Sequence, residues 1–272
     1  MNAQLFFQSL YQQFYLDKRE IDLIICHALN INTAALFIFD KNISNTQQTY
    51  IKSLLKQRSD GKPYAYITGF KEFWNLTLKV NEHTLIPRPE TELIIELILM
   101  WTDKDYTGKI LDLGTGTGAI ALSIASERPS SRVTAIDYSP ECVEIATYNK
   151  NKYNLSHVEI LQSNWFGNIM SNDYDFIVSN PPYIIENDPH LNNLKYEPIS
   201  ALTAEDNGLK DIKTIILQAK KHLKNEGKIL LEHGYNQKND VQSLLNYHGY
   251  TNIETHNDLA QIPRVTSAKY MS

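Results

Sequence analysis

Asn180-Pro181-Pro182-Tyr183 closes the apolar run Asp175-Phe176-Ile177-Val178 and is the stretch of this chain whose residue types best suit chemistry. Neither proline has a backbone N–H to donate, so the pair ends any strand pairing, yet a single proline or glycine would do that. The Asn180 side-chain oxygen and the Pro181 carbonyl can each accept a hydrogen bond, together taking both hydrogens of a planar –NH₂ group. The proline pair stiffens the direction of that carbonyl, and Tyr183 offers an aromatic wall for the group's flat face. The four residues therefore fit an amide or an exocyclic amine held in plane. A proline-terminated strand with a packing tyrosine is the plainer reading of the same residues.

Gly114-Thr115-Gly116-Thr117-Gly118 is the second candidate, three of the chain's 11 glycines within five positions. Glycine permits a positive φ and close approach of a ligand to the backbone, and the helix start that follows presents free N–H groups. Gly114, Gly116 and Ala119 also satisfy the dinucleotide fingerprint, so the loop alone does not choose between cofactors. Asp137 follows Gly118 by 19 residues and ends the next apolar run. A carboxylate there can accept both hydrogen bonds of a ribose 2′,3′-diol. Helix capping is the competing role for Asp137, although Ser139-Pro140 makes the better helix start. Loop and acid together predict a ribose-bearing cofactor. Arg88 and Glu92, four apart, either face a substrate loop or form a first-turn helix pair. His233 suggests a general base or, more in keeping with its surroundings, a structural residue.

The elements that must position these groups follow from the hydrophobic pattern. Ile110–Leu113, Val133–Ile136, Val158–Leu161, Phe176–Val178 and Ile229–Glu232 read as strands, with helical segments near 118–127, 140–152 and 208–224 between them. Such alternation predicts βαβ units and a parallel sheet covered by helices on both faces. Ligands in such sheets sit outside the carboxyl ends of the strands, at the switch point, and every motif above falls at such an end. Ahead of it, Leu5, Phe6, Leu10, Phe14 and then Ile21, Ile24, Ile25, Ala28, Leu29 recur at helical spacing. Asn30-Ile31-Asn32-Thr33 breaks that pattern and offers cap residues. Leu76, Leu78 and Val80 alternate within 73–85 and predict a short hairpin. The expected divisions are a helical domain over 1–72, a hairpin linker over 73–86 and a catalytic domain over 87–272.

Composition narrows the classes. Of 272 residues, 42% are hydrophobic and 21% charged, an ordinary globular balance. Lys+Arg 26 against Asp+Glu 31 leaves a net charge of −5, which gives no electrostatic case for a non-specific nucleic-acid or membrane binder. Cys26 and Cys142 have no metal-like spacing, so neither a structural metal nor a disulfide framework is expected. Met1-Asn2-Ala3-Gln4-Leu5 lacks a basic n-region, and the apolar run Leu93 to Trp101 is interrupted by Glu96 and is too short to span a bilayer. The expectation is a cytoplasmic chain.

The D-L-G-T-G-T-G loop, the acid after the second strand and N-P-P-Y after the fourth resemble class I S-adenosylmethionine-dependent methyltransferases that modify planar nitrogens. Leu85-Ile86-Pro87-Arg88-Pro89-Glu90-Thr91-Glu92, Ile110 to Ala121, Glu232-His233-Gly234, Phe70-Lys71-Glu72-Phe73-Trp74 and the Tyr196-Glu197-Pro198 loop are similar to the peptide-chain release factor glutamine methyltransferase family. The match runs from about residue 58 to the end, and the N-terminal part agrees in size and character. The resemblance implies a Rossmann-like, mostly parallel seven-stranded doubly wound sheet behind a small helical domain that recognises substrate. It implies methyl transfer from S-adenosylmethionine to the glutamine amide nitrogen in the Gly-Gly-Gln loop of class-1 release factors, by a monomer with no nucleic-acid or membrane partner and no metal. Residue by residue, it implies that Gly114, Thr115, Gly116, Thr117 and Gly118 cradle the methionine part. Asp137 then holds the ribose, Trp165 lies at the adenine and Asn180 reaches the cofactor. Asn180, Pro181, Pro182 and Tyr183 hold the substrate amide, with Asn180, Pro181 and Tyr183 at the reacting centre.

Two stretches depart from the family's pattern. Ser163-Asn164 stands before Trp165 where an acid is usual, and Arg264-Val265-Thr266-Ser267-Ala268 lacks an expected glycine; cofactor affinity is where either would tell. Rival readings are a ribosomal-protein glutamine methyltransferase, which shares the core motifs, and a DNA adenine methyltransferase, which should carry a cluster of Lys and Arg. A nicotinamide dehydrogenase explains Gly114 to Ala119 but leaves Asn180 to Tyr183 without a purpose. A non-catalytic binding module would need an occluded cofactor pocket.

Overall fold

Short polar side chains start the N-terminal helices. In the computed structural model, which describes residues 2–271, the chain divides into two units, 1–70 and 71–272. The first holds α1 (Ala3–Gln13), α2 (Lys18–Leu29), α3 (Thr33–Phe37), α4 (Asn45–Ser59) and α5 (Tyr64–Thr68). Asn2, Asp17 and Asn32 cap the first three by accepting from Gln4, Arg19 and Ala35 N–H groups at 2.9, 2.8 and 2.8 Å. Ser44 and Gln47 form a reciprocal capping box at α4. Each cap satisfies a donor that the helix geometry orphans. Phe6, Leu10, Ile21, Ile24, Ile25, Ile51 and Leu55 form the buried centre. Leu5, although in phase with the apolar run, is exposed. Arg58 Nη2 reaches Glu20 Oε1 at 2.6 Å and ties α4 to α2.

A hairpin of β1 (Phe70–Phe73) and β2 (Leu76–Lys79) follows. Its first strand lies ahead of the 73–85 window, because the turn falls at Trp74-Asn75, where Trp74 takes φ 53°. Leu76, Leu78 and Val80 are buried, as the alternation requires. The rest of the second unit comprises α6 (Glu92–Trp101), β3 (Lys109–Leu113), α7 (Ala119–Glu127), β4 (Arg132–Asp137), α8 (Pro140–Lys152), β5 (Val158–Gln162), β6 (Tyr174–Ser179), β7 (Ile184–Ile185), β8 (Thr203–Ala204), a short turn α9 (Glu205–Gly208), α10 (Lys210–Ala219), β9 (Leu223–Glu232), α11 (Lys238–Tyr247), β10 (Thr251–Asn257) and β11 (Pro263–Lys269).

The main sheet has seven strands in the order β10-β11-β9-β6-β3-β4-β5. β5, β4, β3, β6 and β9 are parallel, while β11 and β10 add an antiparallel edge. Alternate residues of β3 serve opposite faces. Ile110 packs with Val133, Phe176 and Leu230 beneath α6 and α7, and Leu111 with Ile136, Ile177 and Ile229 beneath α10 and α11. This is the mostly parallel, doubly wound sheet of the class I methyltransferase fold, with the switch point between β3 and β6.

Two boundaries differ from the sequence reading. The helix expected over 208–224 ends at Ala219, and β9 begins at Leu223 rather than Ile229. A Lys220–His222 turn, in which His222 N–H bonds the Ala219 carbonyl, interrupts the run. The edge pair β10–β11 has polar residues at most positions, so periodicity alone did not mark it. Among the described residues no helix is long and apolar enough to cross a membrane, and no His, Cys, Asp and Glu group could hold a metal ion.

Candidate active site

β3, β4, β5 and β6 end side by side, and a cavity of about 640 Å³ opens over their carboxyl ends. That volume is ordinary for a pocket holding a nucleoside-sized ligand. Gly114 and Gly116 line it, with Asp137, Asn164, Trp165, Asn180, Pro182 and Asp211. Thr115, Thr117 and Gly118 do not line it. They brace the loop from behind: Thr115 Oγ1 donates to Asp112 Oδ2 at 2.6 Å, and the Thr117 carbonyl accepts from Asn149 Nδ2 at 2.9 Å. Gly116 takes φ 54°, and a Cβ there would meet nothing within 4 Å, which leaves open space above the backbone for a ligand.

Asp137 ends β4 and faces the same cavity. Its Oδ2 accepts from Gly116 N–H at 2.8 Å and its Oδ1 from Ser139 N–H at 3.0 Å. Ser139 caps α8 by accepting from Cys142 N–H, with Pro140 in the first turn, so helix capping falls to Ser139 and not to Asp137. Burial pushes the Asp137 carboxyl up, against the bonds it accepts from Ser139 and Gly116. Trp165 opens a 3₁₀ turn after β5 with φ 45°, a conformation an aromatic residue rarely adopts. Ser163 holds the turn by donating to the Trp165 carbonyl at 2.7 Å, and Asp211 lines the same cavity as Trp165. Asn164, where an acid is usual in the resembled family, lines this end of the cavity beside that Asp211.

A second cavity of about 260 Å³ is lined by Asn180, Pro181, Tyr183 and Ile184, together with Leu85 and Arg88. Asn180 borders both cavities. Its Nδ2 donates to Thr91 Oγ1 at 3.1 Å, and no hydrogen bond among the described residues uses Oδ1. Tyr183 donates its hydroxyl to Glu232 Oε1 at 3.2 Å, and burial raises its own proton affinity, so it stays a neutral phenol. The Tyr183 carbonyl accepts from Gln237 Nε2 at 3.0 Å. Gly208 passes so close that a Cβ would lie 2.1 Å from that carbonyl, which makes this position glycine by necessity.

Arg88 and Glu92 part company. Arg88 pairs with the buried Glu197 carboxylate, whose Oε2 also accepts from Ile86 N–H at 3.0 Å, while Glu92 accepts from Trp74 N–H at 2.8 Å and caps the hairpin turn. His233 is buried, bonded to Thr266 Oγ1 and the Gly234 carbonyl, and lines neither cavity. Arg264 to Ala268 form the body of β11 and also line neither. Thr91, Glu197, Asp211 and Glu232 carried no role in the sequence reading. Thr91, Glu197 and Glu232 lie within the motifs given above, and for the two acids a place in a Pro-flanked loop or at a strand end is the only signal.

Known proteins resemble this chain in sequence and fold. The Methyltransferase small domain matches residues 91–195, and the PrmC N-terminal domain matches 7–69. A release factor glutamine methyltransferase of Shewanella oneidensis is 43% identical over 255 residues, covering 93% of this chain and 89% of the relative. The chain belongs to the release factor glutamine methyltransferase family. The Escherichia coli member is 40% identical, covering 93% of this chain and 92% of the relative. Among solved structures, a methyltransferase from Pyrococcus furiosus superposes with a TM-score of 0.55 at 19% identity, covering 84% of this chain and all of that one. The N-terminal domain of human METTL16 in complex with SAH superposes with a TM-score of 0.55 at 18% identity, covering 86% and 85%. These two show the fold of this chain alone.

Proposed function

We propose that this chain transfers a methyl group from S-adenosylmethionine to the side-chain amide nitrogen of the glutamine in the Gly-Gly-Gln loop of class-1 peptide-chain release factors. The observation that carries the reading is Asn180, which borders both cavities with its Oδ1 open to accept. The larger cavity suits the methyl donor, with Gly114 and Gly116 against its methionine part, Asp137 at the ribose and Trp165 at the adenine. When bound, S-adenosylmethionine supplies an electrophilic sulfonium methyl.

An amide nitrogen is a poor nucleophile because its lone pair is delocalised, so orientation is the main lever left to the protein. Asn180 Oδ1 and the Pro181 carbonyl accept the two amide hydrogens and hold the nitrogen in line. Tyr183, fixed at its hydroxyl by Glu232 and at its carbonyl by Gln237, backs the amide plane. A nitrogen so held would be in position to take the methyl that the cofactor would supply, with the sulfur keeping the electron pair of its broken bond and the displaced amide proton passing to solvent. The reading includes a monomeric enzyme whose partner is a protein; the net charge of −5 supports a partner other than nucleic acid.

Tritiated-methyl transfer offered in parallel to a release factor, ribosomal proteins and DNA tests this. Label on the release-factor glutamine alone is the expected result. Label on ribosomal protein or adenine in preference to release factor overturns it.

A further inference from the structure

Thr91 closes a 3₁₀ turn over Pro89–Thr91 that runs directly into α6, and its helical φ −68° and ψ −20° do not place the hydroxyl as a conventional helix cap does. Here it makes no capping bond. It is 4% exposed, and its Oγ1 instead accepts from Asn180 Nδ2 at 3.1 Å.

The two ends of an asparagine amide have nearly the same shape and opposite hydrogen-bonding character, Nδ2 donating and Oδ1 accepting. Half a turn about the last side-chain bond exchanges them at small steric cost. An Asn180 that presented Nδ2 to a substrate –NH₂ group would set donors against donors. A partner behind the amide must therefore tell its ends apart. A hydroxyl does so only when its own proton is engaged elsewhere, because it otherwise serves either end. Glu232 meets that need. Its carboxyl is buried at 1% exposure, Tyr183 donates to Oε1, and Oε2 has no hydrogen-bond partner among the described residues, which leaves an acceptor near the Thr91 hydroxyl that a turned Thr91 proton would satisfy. With the Thr91 proton turned toward that carboxyl, the lone pairs of Oγ1 face Asn180, and only Nδ2 can answer them.

We infer that Thr91 is a positioning residue: it sets the orientation of the Asn180 amide so that Oδ1 is presented to the substrate nitrogen. The inference rests on the reading of Asn180 as the acceptor for that group.

Single-turnover methylation at saturating cofactor and release factor tests it. Thr91→Val keeps the shape and removes the hydroxyl; Thr91→Ser keeps the hydroxyl. Thr91→Val should slow the step about 10- to 100-fold, by analogy with removal of a group that orients a metal-ligating side chain. Thr91→Ser should stay within about threefold of wild type, and cofactor affinity by calorimetry should hold in both. In an Asn180→Ala background, Thr91→Val should have no further effect, because no amide remains to be oriented. Thr91→Ala, compared with Thr91→Ser, carries the same test if the valine variant misfolds. The inference falls if the hydroxyl-free variants react at the wild-type rate while Asn180→Ala is slow. It falls equally if Thr91→Ser is as slow as Thr91→Val, or if Thr91→Val costs its full factor without Asn180. A wild-type rate for Asn180→Ala removes the underlying reading of Asn180, and Thr91 goes with it.

Discussion

Asp137 Oδ2 accepts the Gly116 backbone N–H at 2.8 Å, joining the acid that ends β4 to the glycine loop that follows β3. The two candidate cofactor-binding features are therefore one unit. Each carboxylate oxygen has a second lone-pair site, so Asp137 can hold the loop and still accept from a diol.

Asp137→Ala should weaken S-adenosylmethionine binding at least tenfold, since charge-assisted hydrogen bonds contribute roughly 1.5–3 kcal/mol each. Asp137→Asn, which keeps one acceptor, should fall between. Calorimetry measures both. A dissociation constant unchanged in Asp137→Ala would leave the residue as a brace for Gly116 alone.

Asn180→Ala should act on turnover. Removing one positioned hydrogen-bonding group costs roughly 10²–10³ in rate, about 2.7–4 kcal/mol. Single-turnover methylation with both substrates saturating isolates this from binding. A rate within threefold of wild type would reduce Asn180 to Tyr183 to a strand terminator.

Glu232 predicts a pH effect on stability. Burial pushes its carboxyl up to about 7, with the Thr91 and Tyr183 hydroxyls and Arg264 opposing and Glu90 adding. The neutral form is favoured in the folded state, so this contribution is fully present below pH 4.5 and is lost as pH rises through about 7. The shift corresponds to on the order of 3 kcal/mol. Glu232→Gln should flatten the fall in unfolding free energy between pH 5 and 8, measured with urea. The buried Asp112, pushed up to about 7 by burial, leaves a residual slope of the same sign. Equal slopes for variant and wild type would show that Glu232 titrates normally.

Arg88→Ala should destabilise the loop that carries Glu197. The Glu197 side chain is 2% exposed and Arg88 32%, so removing the guanidinium leaves a buried carboxylate bonded only to Ile86 N–H. Breaking a buried pair costs about 3–5 kcal/mol, and the exposed side of Arg88 places this case at or below the lower end. Limited proteolysis within 186–202 should accelerate relative to wild type. An unchanged cleavage rate would mean that Ile86 N–H alone suffices.

The segment over 71–272 contains both clusters that cover its sheet, and the segment over 1–70 has a core of its own. Deleting the first segment should leave S-adenosylmethionine affinity nearly intact while release-factor methylation falls sharply. Parallel loss of both would mark the helical segment as part of the catalytic fold rather than a substrate reader.

What the sequence by itself determined is local. Glycines at 114, 116 and 118 permit the positive φ the loop adopts, Pro181 and Pro182 follow the end of β6, and the apolar alternation of Ile110 to Leu113 assigns residues to two faces; each depends on neighbours within a turn or a strand. Those signals were enough to put the glycine loop, Asp137 and Asn180 at strand ends. The partners of those residues were decided by tertiary structure. Thr91 meets Asn180 across 89 residues and Glu232 meets Tyr183 across 49. Such pairs exist because β6 lies between β3 and β9, and because α6 begins beside the end of β6. No local propensity encodes which strand lies beside which, so Thr91, which has no role of its own in the sequence pattern, becomes the partner of Asn180. The edge strands β10 and β11 were hidden for the same reason: β11 pairs with β9 and β10 with β11, and each pairing depends on a neighbour and not on an apolar run of its own.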